Sequence, residues 1–207
     1  MNFNCSKKLF LSLSLAFILM TIIGTISHEF GHFISAKILG FNSKINYGAT
    51  SLENNPNKIM SEKEYFIFTL GGPIQTIFTG SLGLLALYLC RKTFFRVEKL
   101  SFRQWLIIFI SLFWLRQLAN LFTWILGFFI KGKFSERGDE IKLARYLNLP
   151  NWTIISSTAL IGFIILTIII FKFIPKKERL IFIFSGLIGG ISGYILWLHL
   201  LGKILMP

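Results

Sequence analysis

Five long apolar segments, joined by shorter polar stretches, make up most of this 207-residue chain. They run over residues 9–39, 65–90, 105–130, 152–174 and 180–201. A helix needs about 20 apolar residues to cross a hydrocarbon layer about 30 Å thick. Lipid offers no partner to an unpaired backbone amide, so segments of this kind are helical. We therefore predict an all-α polytopic membrane protein, a bundle of about five transmembrane helices.

The formal net charge of +13 comes from Lys and Arg residues that gather between the apolar segments. In those places basic side chains meet lipid headgroups and set membrane orientation. We therefore expect a lipid bilayer, and no nucleic acid, as the partner of the basic residues. The high content of Phe, Ile, Lys and Asn is typical of AT-rich bacterial genomes, which predicts a multi-pass protein of the bacterial cytoplasmic membrane.

The first apolar segment contains the sequence His28-Glu29-Phe30-Gly31-His32 near its far end. Residues four apart share one face of a helix, so the two imidazoles could bind one metal ion. Glu29 lies beside that face and is free to hold a proton. This is the HExxH pattern of zinc peptidases, in which two histidines bind zinc and the glutamate deprotonates zinc-bound water. Ionisable residues are costly within a membrane, so these indicate a functional site.

A zinc ion in a hydrolase usually takes three protein ligands and leaves one position for water. The third ligand must therefore come from elsewhere in the chain, and we expect one zinc ion per chain. Asp139, after the third apolar segment, is the best placed carboxylate, with Glu136 and Glu140 in reserve. The competing interpretation is that Asp139 only caps the short helix predicted after it.

The second and third segments carry residues that are unusual in membrane helices. Gly71-Gly72-Pro73 removes a backbone donor and side-chain bulk, which favours a role in shaping the site. Arg116 and Asn120 share a face of the third segment. Asn120 could position a substrate backbone, brace a metal ligand, or form a structural hydrogen bond between helices.

Two further features remain open between structural and functional interpretations. Residues 44–51 could form a short strand or hairpin, either as an ordinary connector or as an edge that pairs with an extended substrate. The glycines of the fifth segment form two overlapping GxxxG pairs, which we interpret as packing seams. His199 follows them, and we expect an interfacial or interhelical role for it.

The HEFGH motif, the Gly-Gly-Pro segment and a later acidic residue together resemble the site-2 protease family of intramembrane zinc metallopeptidases. The resemblance covers residues 9–150 and implies that His28 and His32 bind zinc and that Glu29 is the general base. It implies that Gly72-Pro73 matches the substrate-binding Gly-Pro element of the family, and that Asp139 is the third ligand. Residues 1–150 would then form the metallopeptidase-like core, and 151–207 would add two helices to a single membrane domain.

The chain departs from the family at two positions. Thr76 stands where the family has an asparagine after Gly-Pro, which leaves the substrate-backbone contact to Gln75, Asn120 or neither. Asp139 stands in Gly-Asp-Glu rather than in Asp-Gly. The predicted function is that of a zinc-dependent intramembrane endopeptidase acting on membrane-protein or peptide substrates. The alternative is a catalytically inactive binding or regulatory protein that retains the fold.

Overall fold

Five helices of the computed structural model are long and apolar enough to cross a membrane. The structure describes residues 6–53, 59–95 and 97–207. The spans are Lys7–Ile38, Glu62–Leu89, Phe102–Lys131, Trp152–Phe173 and Lys176–Leu205. Large apolar side chains point outward along them; on the first span Leu11, Leu15 and Leu19 are 61%, 61% and 57% exposed. A soluble protein rarely exposes so continuous an apolar surface. The predicted all-α, multi-pass membrane bundle is confirmed.

The elements follow one another in a simple order. The first two spans are α1 (Ser6–Ile38) and α2 (Glu62–Leu89), and the short helix α3 (Arg91–Phe94) follows α2. The third span comprises α4 (Phe102–Ser111), a 3-10 turn (Leu112–Trp114) and α5 (Leu115–Lys131). Helix α6 (Asp139–Tyr146) precedes the fourth span, which is α7 (Trp152–Ile168) with a π-helical end (Ile169–Phe173). The fifth span comprises α8 (Lys176–Ile195), a π-helical segment (Leu196–Leu201) and α9 (Gly202–Leu205).

The second and third spans begin at Glu62 and Phe102, earlier than the residues 65 and 105 predicted from hydropathy. Each start is fixed by a capping box. The Ser61 hydroxyl accepts a hydrogen bond from the Glu64 backbone N–H. The Glu64 carboxylate in turn accepts a hydrogen bond from the Ser61 N–H at 2.8 Å. Ser101 forms the same arrangement with a glutamine. Because the first turns of these two helices are polar, a prediction based on hydropathy does not include them.

Helix α1 lies between α2 and α8. A Cβ atom added at Gly189 would overlap the carbonyl oxygen of Ser14, and one at Gly193 would lie 3.0 Å from the Cβ atom of Thr21. The predicted packing seam of the fifth span is therefore confirmed as a contact with α1 inside the same chain. On its other side α1 crosses α2 where Gly31 and Gly71 bring the two backbones together.

Gly80 and Gly83 let α2 approach the third span. A Cβ atom at Gly83 would overlap the backbone of Ser111, and one at Gly80 would lie 3.1 Å from the backbone nitrogen of Trp114. Helix α7 packs against α5 and α6, whereas α8 packs against α1. The fourth and fifth spans therefore flank the three-span unit that carries the motif residues.

The loop after α1 contains a small β-hairpin, as the sequence suggested. Strand β1 (Ser43–Ile45) pairs antiparallel with β2 (Thr50–Leu52). Tyr47, in its turn, accepts a hydrogen bond through its carbonyl oxygen from the Trp197 indole N–H at 2.7 Å. The hairpin is therefore fixed to the fifth span and holds β2 over the end of α1.

Helix α6 is placed by two glycines with positive φ. Gly132 (φ 67°) ends α5, and Gly138 (φ 120°) immediately precedes α6. Residues with a side chain rarely adopt such conformations. The turn at Gly138 directs the first residue of α6, Asp139, back towards α1.

Candidate metal centre

Helix α1 presents His28 and His32 on the face that packs against α2. Both residues are almost fully buried, with 1% and 5% exposure. The facing residue of α2 is Gly72, where an added Cβ atom would overlap Nε2 of both imidazoles. Glycine at this position is therefore required for the two rings to occupy the interface between the helices.

Three ligand-type atoms from two distant parts of the chain converge at this interface. Oδ2 of Asp139 lies 2.9 Å from Nε2 of His28 and 3.1 Å from Nε2 of His32. The two Nε2 atoms are 3.3 Å apart. Tetrahedral coordination with zinc bonds of 2.0–2.1 Å places ligand atoms about 3.3 Å apart. The triangle thus has the dimensions of one face of such a site.

The other ring nitrogens of the two histidines are held by hydrogen bonds. Nδ1 of His32 donates to the carbonyl oxygen of Phe68 at 2.8 Å. Nδ1 of His28 lies 3.0 Å from the Thr76 hydroxyl, which itself donates to the carbonyl oxygen of Gly72. Because that hydroxyl proton is used, the Thr76 oxygen accepts from the His28 N–H. In the neutral rings both Nε2 atoms therefore direct a lone pair into the triangle, as in metal-binding histidines.

Asp139 supplies a carboxylate to the same point. Burial opposes its ionisation, but hydrogen bonds with His28 and His32 outweigh it and hold the pKa of Asp139 well below its usual range. Its side chain does not cap α6, whose N-cap residue is Gly138. With both imidazoles neutral, their lone pairs and the ionised carboxylate repel one another unless a cation lies between them; with a protonated imidazole, the same contacts of 2.9 and 3.1 Å are ion pairs. This donor set, nitrogen and oxygen at tetrahedral spacing, fits a divalent metal ion such as zinc.

The two reserve carboxylates face elsewhere. Glu136 is exposed and forms an ion pair with Arg145 at 3.2 Å. Glu140 is buried, and its Oε1 accepts from the Asn120 amide at 2.8 Å. Burial raises the pKa of Glu140. Of the three candidates, only Asp139 is placed against the histidines.

Glu29 lies next to the triangle and is 5% exposed. One of its carboxylate oxygens falls within 4.8 Å of ligand atoms of both motif histidines, so His28, Glu29 and His32 form a group that could hold a metal ion. The Thr50 hydroxyl, at the start of β2, lies 3.1 Å from Glu29 Oε2 and 2.8 Å from the Glu29 carbonyl oxygen. The hairpin therefore orients this carboxylate.

The four residues predicted to bind substrate have different surroundings. Gly72 and Pro73 lie in the continuous helix α2, against the motif. Gln75 donates to Ser27, and to Thr79 at 3.0 Å. Asn120 lines the cavity described below, and its amide nitrogen donates one hydrogen bond to Glu140 at 2.8 Å.

A cavity of about 700 Å³ opens onto the metal centre. Its floor includes the triangle residues, Glu29 and Arg116. Gly48, Ala49 and Thr50 of the hairpin form part of its wall, and residues 131–142 another part. His199 is not among the lining residues; its ring lies 5.8 Å from that of Tyr194.

Sequence reasoning missed two supporting contacts. The sequence marks Thr76 as a departure from the family pattern and as part of a small-residue face four residues after Gly72; its hydroxyl also holds His28. Thr50 was not singled out, and no local pattern marks it, because its partner Glu29 is distant in sequence. The four-residue spacing from Gly72 to Thr76 could have indicated that Thr76 faces the motif.

The fold and the site together define a class of protein: an integral multi-pass membrane protein with a His-Glu-His group that could hold a metal ion at one end of its bundle. Comparison of the chain with protein-family models, curated proteins and solved structures finds no match.

Replacing Thr76 by valine removes the acceptor of the His28 N–H while preserving the shape of the side chain. Supporting hydrogen bonds of this kind typically change metal affinity by about 10–100-fold, and we expect Thr76→Val to weaken metal binding by that amount. Competition with a chromophoric chelator on detergent-purified protein measures the effect. Thr76→Ser retains the hydroxyl and should bind metal as the unmodified protein does; equal affinities for valine and serine would contradict this role.

Proposed function

We propose that the protein is a zinc-dependent intramembrane endopeptidase. The observation that carries the proposal is the convergence of His28 Nε2, His32 Nε2 and Asp139 Oδ2 at 2.9–3.3 Å. Their other hydrogen bonds leave lone pairs directed at one point. Nitrogen and oxygen donors at this spacing suit a dication placed between them.

The three protein ligands proposed for zinc are His28, His32 and Asp139. A zinc ion bound to three protein ligands keeps a position for water or substrate, acidifies that water and polarises a carbonyl group. The ligand count therefore favours a catalytic site over a purely structural one, which would be closed by four ligands.

Glu29 is the proposed general base. Its carboxylate lies beside the triangle and faces the cavity, where it can take a proton from the attacking water. The same carboxylate can return that proton to the leaving amine when the peptide bond breaks. The Thr50 hydroxyl shares its proton between the Glu29 carbonyl oxygen at 2.8 Å and Oε2 at 3.1 Å, and this contact leaves the second carboxylate oxygen available for the proton.

Support for a peptide substrate comes from the hairpin beside the site. Residues of its turn and of β2 line the cavity. An exposed strand can bind an extended peptide through backbone hydrogen bonds, and a peptide must be extended for its carbonyl to be attacked. The membrane spans place such a substrate within or next to the bilayer. We propose the bacterial cytoplasmic membrane as the location.

The test uses purified protein reconstituted with a panel of single-span membrane proteins in lipid vesicles. We expect cleavage of at least one member, loss of cleavage after chelation, and recovery when about one equivalent of Zn²⁺ is restored. Mass spectrometry of the fragments locates the cut relative to the span. Cleavage that persists in fully metal-free protein would contradict the proposal, and zinc-loaded protein that cleaves no member would favour the inactive binding protein.

A further inference from the structure

Positive charge dominates the cavity that leads to the metal centre. Five cationic side chains line it: Arg116, Lys131, Lys133, Arg137 and Lys142. The carboxyl groups that line it are Glu29, Asp139 and Glu140. Four of the five cations come from the short stretch 131–142, which forms one side of the opening; we call these four the basic rim.

The carboxyl groups of the cavity are already engaged by other residues. Glu29 accepts from Thr50, Asp139 contacts the two histidines, and Glu140 accepts from Asn120. Within residues 6–53, 59–95 and 97–207, the ion pairs are those of Asp139 with the histidines, Arg145 with Glu136, and Lys177 with Glu98. None of the five cavity cations therefore forms an ion pair with a described carboxylate.

Arg116 is the innermost of these cations. It lies in the third membrane span, is half-buried, and lines the cavity together with the metal centre. Its Nε atom is buried, with no hydrogen-bond partner among the described residues. A guanidinium in a membrane span is costly unless it is paired or serves a ligand. Its planar group of donors is suited to binding a carboxylate through two parallel hydrogen bonds.

We propose that this cavity binds a peptide carboxylate, with Arg116 as its deepest contact and the basic rim attracting acidic residues that flank the bond to be cut. The inference rests on the proposed peptidase function and specifies its substrate class. The carboxylate comes from Asp or Glu side chains or from a free C-terminus. The rim lines the same cavity as the metal-site residues and Arg116, and this favours a peptide that enters the cavity over lipid headgroups, which would occupy only the membrane surface.

The rim should act mainly through long-range attraction. Exposed ion pairs are individually weak, and charges separated by more than about 8 Å are screened at physiological salt. Several cations around one opening nevertheless raise the local concentration of an acidic segment and its association rate. Binding should therefore be selective for acidic peptides at low salt and lose that selectivity as salt increases.

Peptide binding can be measured without cleavage. The protein used is zinc-loaded Glu29→Gln in neutral detergent, and the probe is a fluorescent ten-residue peptide with three glutamates. Matched peptides replace the glutamates by glutamine or amidate the C-terminus. We expect the acidic peptide to bind about tenfold more tightly than its glutamine counterpart, as several exposed ion pairs of modest strength would produce. An effect of amidation alone would assign the carboxylate to the C-terminus.

Substitution of the basic rim tests whether its residues cause the preference for the acidic peptide. Replacing three of its four cations together, by Lys131→Gln, Lys133→Gln and Arg137→Gln, should remove most of the preference for the acidic peptide. Binding of the glutamine peptide and the zinc content should stay unchanged. The matched control replaces Lys92, Lys172 and Lys176, at the other end of the bundle, by glutamine and should retain the preference. Arg116→Lys, which keeps the charge but loses the paired donors, should weaken binding of the acidic peptide several-fold at unchanged zinc content.

Two results would overturn the inference. One is equal binding of acidic and glutamine peptides by the protein with its native basic rim. The other is a rim variant that loses anionic lipid, measured by native mass spectrometry, but keeps its peptide preference; the rim would then serve headgroups. In both cases zinc-dependent cleavage by the unmodified protein would still stand, so failure of this inference is distinguishable from failure of the peptidase proposal.

Discussion

Alanine at His28 or Asp139 should reduce the metal content of the purified protein from about one ion per chain to near zero. Each substitution removes one of three ligands and leaves a pair that cannot enclose the ion. The loss of affinity should therefore exceed the about 10–100-fold change that supporting hydrogen bonds cause. Elemental analysis after gel filtration against a weak chelator measures the stoichiometry, and the same experiment identifies the metal.

The chain offers close controls for this experiment. His199→Ala removes a histidine from the fifth span, away from the cavity, and Glu136→Ala removes an exposed carboxylate three residues before Asp139. Both variants should retain the full metal content. If Asp139→Ala also retains it, the three-atom triangle is not the binding site, and Glu140→Ala becomes the next variant to measure.

Much of the fold could be predicted because a bilayer limits the possible structures. Segment length and apolarity alone identified all five spans, and the first helix ends at Ile38, just before Gly40 with its φ of 74°. The errors lie at the helix starts. Ser61 and Ser101 extend their helices into polar sequence through capping boxes, a signal that is present in the sequence but invisible to hydropathy.

The candidate metal-binding group was predictable in part because its spacing is local. His28, Glu29 and His32 belong to one helix turn, and their relative positions follow from the helix itself. Asp139 is different. Its position depends on the glycine turns at Gly132 and Gly138 and on the packing of α6 against α2. The sequence alone therefore could not exclude Glu136 and Glu140 as the third ligand.

The supporting contacts could not be predicted, because each joins residues from different elements. Thr76 reaches His28 only because Gly31 and Gly71 allow α1 and α2 to approach closely. Thr50 reaches Glu29 only because Tyr47 fixes the hairpin to the fifth span. The sequence allows three roles for Asn120; its bond to Glu140 braces the turn that carries Asp139, and contact with substrate remains a prediction.

Glu29→Gln should separate metal binding from catalysis. The amide has nearly the shape of the carboxylate and can still accept the Thr50 hydrogen bond, so the metal content should remain at about one ion per chain. It cannot take a proton from water at neutral pH. General acid–base catalysis contributes about 10²–10⁴-fold to rates, and cleavage of a membrane substrate should fall by that factor.

Glu136→Gln is the matched control for this change, because it makes the same substitution at an exposed carboxylate paired with Arg145. It should leave both metal content and cleavage rate unaltered. Single-turnover rates in lipid vesicles are the appropriate measurement, since slow substrate entry or product release could otherwise mask a chemical defect. If Glu29→Gln cleaves at the normal rate with normal metal content, the proton is carried by another group. Glu29 would then serve to hold the hairpin through Thr50, and the mechanism proposed for this site would be wrong.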